Sequence, residues 1–132
     1  MKAIPLIFIL ALLCVACASQ KEIEQQSDMI EINLGTETIE LAIGEKVSYT
    51  GTVHGSVGIQ KECKSDDESV IKLIDKKFKY IQEPKEGETG GDRAKETYIF
   101  EGIAEGKATI TIEDWYRGEL ESSRTVQVLV KD

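Results

Sequence analysis

The chain has 132 residues, a net charge of −8 and 30% charged residues. This length suits one domain with a real core. An acidic domain without a basic stripe is a poor nucleic-acid binder, so no nucleic-acid partner is expected.

The N-terminus is set apart from the rest. Lys2 supplies one positive charge, residues 4–13 are almost wholly apolar, and Val15-Ala16-Cys17 places small residues before a cysteine. Such an apolar run is short for a membrane span and has the form of a secretory signal with a lipoprotein-type cleavage site. The expected organisation is a signal peptide over residues 1–16, a lipidated tether over 17–28 beginning at Cys17, and a domain over 29–132. The protein is then an exported lipoprotein of the cell envelope or surface, attached to a membrane through its N-terminal lipid. The alternative is an ordinary secretory signal in which Cys17 is incidental, and Cys14 is not the aliphatic residue usual three positions earlier. Cys14 and Cys17 also form a CxxC pair. They lack the βαβ context of a redox motif and the further ligands that zinc needs.

Removing residues 1–16 takes away Lys2 and no acid, leaving about 116 residues with a net charge of about −9. The polar segment 18–28 reads as a flexible tether. Cys63 is the one cysteine left in the folded part, so no internal disulfide is available and the core must suffice without staples. Its strand spacing from Ile59 and Lys61 marks a half-buried apolar filler rather than a reactive thiol.

From Met29 onward the pattern has period two. Apolar residues alternate over 29–34, at Ile39, Leu41 and Ile43, and at Val47, Tyr49 and Val53, with Gly51 read as a weak point or bulge. Residues 59–63 form a plausible, rather polar strand. Residues 70–74 and 78–81 read as two short strands joined by Asp75-Lys76-Lys77. Tyr98, Phe100 and Gly102 alternate, as do Ala108, Ile110 and Ile112, and Val126, Val128 and Val130 close the chain. No helical period stands out. The expectation is all-β: an immunoglobulin-like β-sandwich of about seven to nine short strands.

Three glycine-bearing segments fall between strands: His54-Gly55-Ser56-Val57-Gly58, Gly87-Glu88-Thr89-Gly90-Gly91 and Asp114-Trp115-Tyr116-Arg117-Gly118. Loops on a rigid sandwich commonly carry function. Ile39-Glu40-Leu41-Ala42-Ile43-Gly44-Glu45, Ser69-Val70-Ile71, Glu105-Gly106-Lys107-Ala108 and the closing strand add to the pattern. In this order, over roughly residues 37–130, the chain resembles the chagasin family of papain-like cysteine protease inhibitors. That family typically has Asn-Pro-Thr-Thr-Gly in its first loop and Arg-Pro-Trp in its third. This chain keeps Ser56 and the closing Gly58 of the one, and Trp115-Tyr116 of the other, and Lys61 stands where the family commonly has Trp.

The resemblance implies a reversible, non-covalent inhibitor whose three loops occlude the protease cleft. The implied contact residues are His54, Gly55, Ser56, Val57, Gly58, Gly87, Thr89, Gly90, Gly91, Asp114, Trp115, Tyr116 and Arg117. Such an inhibitor needs no catalytic residue, cofactor or metal and is expected to be a monomer. The bland alternatives are that the glycines serve only tight turns, that Trp115 caps the core, and that His54 is a solvated surface residue. An enzyme is not expected, because His54 is the sole histidine and no Gly-x-Ser-x-Gly elbow is present. The competing function is an immunoglobulin-like surface adhesion or assembly module without a protease partner.

Overall fold

The structure, a computed structural model, describes residues 29–132. The expected signal peptide, the tether and Cys17 lie outside the described residues. Among the described residues there are eight strands: β1 (Ile30–Glu31), β2 (Thr38–Ala42), β3 (Lys46–His54), β4 (Ile59–Ser65), β5 (Ile71–Tyr80), β6 (Arg93–Gly102), β7 (Gly106–Tyr116) and β8 (Glu119–Lys131). Hydrogen bonding runs in the order β2-β8-β7-β4-β3-β6-β5, with β1 added in parallel to the start of β3. β3 and β4 pair only through His54 and Ile59. At that corner the sheet folds over, giving an immunoglobulin-like sandwich of two layers, β2-β8-β7-β4 and β1-β3-β6-β5.

Period-two patterning builds the core. Val47 and Tyr49 of β3, Phe100 of β6, Ile110 and Ile112 of β7, and Val126, Val128 and Val130 of β8 are all buried between the layers. Each such side chain contributes about 1.5–3 kcal/mol by leaving water. Cys63 lies within this cluster, more deeply than its half-buried expectation. Burial pushes its thiol pKa up to about 12, so it stays neutral and unreactive at physiological pH.

Two local expectations need correction. Residues 71–80 are a single strand: a register shift between Leu73 and Asp75 leaves Ile74 unpaired, and Asp75, Lys76 and Lys77 pair regularly with Ile99, Tyr98 and Thr97. Gly51 is no bulge, since it pairs regularly opposite Glu96. A Cβ on Gly51 would lie 2.1 Å from Cδ of Lys61. The glycine is there because the lysine stem crosses it.

Lys61 reaches past Gly51 to an ion pair with Asp114, leaving its side chain 16% exposed. Burial disfavours its charge, but the Asp114 carboxylate overrides this and holds Lys61 above the usual lysine range. Burial likewise opposes the charge on Asp114, yet the bonds from Lys61 and Ser122 keep that carboxyl below the usual range. The Tyr98 hydroxyl donates to the Lys61 carbonyl at 2.7 Å, tying the two layers together.

Strand directions define the two poles. His54, Arg93, Tyr116 and Ile59 are register neighbours at one end, so the connections 55–58, 81–92 and 117–118 all emerge there. Ile30 pairs with Val47, so the chain enters the domain at the other end, roughly 25 Å away along β3.

Gly51→Ala is expected to destabilise the domain by about 1–3 kcal/mol, because the methyl displaces the Lys61 stem. Most of that loss should vanish when it is combined with Lys61→Ala. Thermal or urea unfolding of the two single variants and the double variant checks the coupling.

Candidate functional site

The first connection is the centre of the loop pole. Gly55–Val57 form one 3-10 turn, and Gly58 ends it with φ +88°, donating its amide to His54 O and Gly55 O at 3.1 and 3.0 Å. A left-handed conformation is costly for any residue with a Cβ. Space forbids one here as well: a Cβ on Gly58 would lie 3.0–3.3 Å from Cγ, N and Cα of Arg117. That close approach lets the Arg117 amide donate to Gly58 O at 2.8 Å, joining the first connection to the third.

The third connection is shorter than expected. Asp114, Trp115 and Tyr116 are the last residues of β7, not loop residues, and the turn is Arg117-Gly118 alone. Both have positive φ, +49° and +83°. This is the type I′ arrangement, whose twist lets the strands run up to a two-residue turn. The Arg117 guanidinium lies over the Tyr116 ring, 5.1 Å from its centroid.

Asp92 joins the first connection to the second. Its carboxylate accepts the Ser56 amide at 2.7 Å and the Ser56 hydroxyl at 2.5 Å. His54 Nε2 lies 2.8 Å from Gly90 O and 3.1 Å from Asp92 Oδ1. A carbonyl can only accept, so Nε2 carries a proton and donates. His54 is therefore not a solvated surface side chain; only 16% of it is exposed, and it pins the second connection to β3. These bonds depress the Asp92 pKa, chiefly through Ser56, with a smaller contribution from His54.

The predicted residues thus fall into distinct places. Ser56 bonds its hydroxyl to Asp92, and Gly55, Ser56 and Val57 are all exposed at the tip. Gly87, Thr89, Gly90 and Gly91 lie on the exposed second connection, which touches the rest of the pole through Gly90 and Asp92. Trp115 is half-buried and absent from the core cluster, so it does not cap the core. Its Nε1 donates to Glu113 at 3.2 Å. With Ile59, Phe78 and Tyr80 it lines a groove of about 640 Å³ that opens between β4 and β5 beside the loops. Sequence reasoning missed Asp92. Its one signal was an acidic side chain directly after Gly90-Gly91 and one residue before a strand.

The fold is shared with proteins of known structure. The chain is similar to the cysteine protease inhibitor EhICP2 from Entamoeba histolytica, with a TM-score of 0.59 and 15% identity over 78% of this chain and 94% of that one. It is similar to amebosin, with a TM-score of 0.55 and 16% identity, covering 78% of this chain and 98% of that one. A third similar structure is PbICP-C, solved in complex with falcipain-2, with a TM-score of 0.50, 16% identity and coverage of 78% and 98%. No family model matches the chain, and no curated protein matches it in sequence.

Asp92→Ala should release the first connection from the second, quickening exchange of the Ser56 amide by about 10-fold or more while core amides keep their protection. The same staple should respond to acid. Because folding lowers the Asp92 pKa, its contribution is complete above the ordinary aspartate value of about 4 and is lost as pH falls through the folded-state value. Exchange at Ser56, corrected for intrinsic rate, measured between pH 6 and pH 3 checks the direction.

Proposed function

We propose that this protein is a reversible inhibitor of papain-like cysteine proteases that fills the catalytic cleft with the three-loop pole. The observation that carries the reading is the direct bonding of the first connection to each of the other two, through Ser56–Asp92 and Gly58–Arg117, with His54 at the end of β3 adding a bond to Gly90. A pole fixed before binding loses little conformational entropy on entering a cleft. The fold shared with EhICP2, and with PbICP-C in its complex with falcipain-2, supports the choice of target.

In this reading the exposed turn Gly55–Val57 approaches the catalytic cysteine. Gly55 admits close backbone contact without offering a scissile bond in register. Trp115 and Tyr116, at the end of β7, bring aromatic area to the rim of the cleft, where such residues often dominate affinity. The second connection covers the other side. The same proposal places a lipid on Cys17 and the domain outside the cell. Since the chain enters the domain at the opposite pole, the loops then point away from the anchored end.

Titration of the full chain in mild detergent against a panel of papain-like proteases, with a serine protease as control, tests the proposal. Inhibition confined to the cysteine enzymes, with the chain uncleaved, is the expected result. Trp115→Ala should weaken that inhibition about 10- to 30-fold, equivalent to about 1.4–2 kcal/mol, with an unchanged unfolding temperature. Absence of inhibition at micromolar excess would sink the proposal and favour a surface assembly role.

A further inference from the structure

β5 and β6 bring four cations together that the sequence keeps apart. Lys77 pairs with Thr97 and Lys79 with Lys95 across these strands, while Arg93 and Lys95 stand opposite His54 and Thr52 of β3. Cross-strand partners share a face. Lys77, Lys79, Arg93 and Lys95 therefore form one exposed strip on the outer side of the sandwich, at the foot of the second connection. The expected lack of a basic stripe does not hold, because half of the strip comes from each side of residues 81–92.

Among the described residues none of these four cations forms an ion pair, although Lys61, Lys64, Lys76 and Lys131 each do. Lys79 and Lys95 lie directly opposite each other, an unfavourable juxtaposition of like charges. Lysines on the outermost strand of a sheet can guard it against edge-to-edge pairing, which accounts for Lys77 and Lys79 on β5. It does not account for Arg93 and Lys95, because β6 lies between β3 and β5 and has no free edge. Acids on the same face, Asp75 and Glu101, lie further from the loop pole, opposite Ile99 and Lys72. Glu83, Glu86 and Glu88 occupy the second connection but form no ion pair with the strip among the described residues. A concentration of positive charge next to the candidate binding pole, in a chain of net charge −8, calls for an anionic counterpart.

We infer that this strip steers the loop pole onto a protease whose cleft rim carries a cluster of carboxylates, so that it selects among papain-like enzymes by rim charge. The inference rests on the inhibitor reading and adds a target class to it. Long-range attraction of this kind raises association rates and fades with salt, while dissociation follows the close contacts of the loops.

The test compares the full chain with its Lys77→Glu/Lys79→Glu/Lys95→Glu variant. Association and dissociation rates are measured against one papain-like protease with an acidic rim and one with a neutral rim, at 25 and 300 mM salt. The wild type should associate with the acidic-rim enzyme about 10-fold faster at low salt. The variant should lose that advantage while its dissociation rate and its binding to the neutral-rim enzyme are unchanged. Equal association rates for wild type and variant at low salt would overturn the steering role and leave the inhibitor reading intact. Failure of the wild type to bind either enzyme would overturn both. Retention of wild type, but not variant, on immobilised heparin or a DNA oligonucleotide at 150 mM salt, with equal protease association, would reassign the strip to a polyanion.

Discussion

The loop pole depends on one carboxylate. Asp92 closes the gap between two connections that are distant in sequence by accepting both the amide and the hydroxyl of Ser56, and His54 backs it from the end of β3. A sandwich fixes where its loops begin and end but not how they lie. Here the first connection is held from two sides, by Asp92 and by the Arg117 amide, so the tip Gly55–Val57 is placed as firmly as an exposed turn can be. Preorganisation is the physical requirement for a non-covalent inhibitor that brings no chemistry of its own.

Between the core and the pole lies a group of partly exposed polar side chains. Asp114 pairs with Lys61 and accepts the Ser122 hydroxyl, the Tyr98 hydroxyl donates to the Lys61 carbonyl across the layers, and Gly51 gives up its side chain to make room. Where the resembling family commonly has a large aromatic residue, this chain uses a lysine stem with a paired charge. Its pairing with Asp114 adds a direct side-chain link from β4 to β7, the strand that carries Trp115 and Tyr116. Lys61 and Asp114 thus set the position of the aromatic rim through the register of those two strands.

Much of this was legible in the sequence, for reasons that differ by element. Strands β3, β7 and β8 bury one face and expose the other, so their period-two pattern was unambiguous. β5 reads as two strands because Asp75-Lys76-Lys77 carries turn composition, and nothing local shows that these residues stay paired after a one-residue shift at Ile74. Trp115 and Tyr116 were placed in a loop because Gly118 marks a turn without revealing that two residues suffice for it. The bond from His54 to Gly90 and the staple at Asp92 are not legible in the sequence, because the partners lie 36 residues away in the chain and the contacts exist only after β3 and β6 pair. The basic strip escaped notice for the same reason: register, not proximity in sequence, assembles it.

Occupation of a catalytic cleft by the pole is measured most directly as protection of the protease's own nucleophile. A papain-like protease is mixed with the full chain at rising ratios, and the rate at which iodoacetamide alkylates its catalytic cysteine is followed by mass spectrometry. The account expects alkylation to slow in proportion to the chain added and to level off at one chain per protease. An alkylation rate unchanged by a saturating excess of the chain would contradict it.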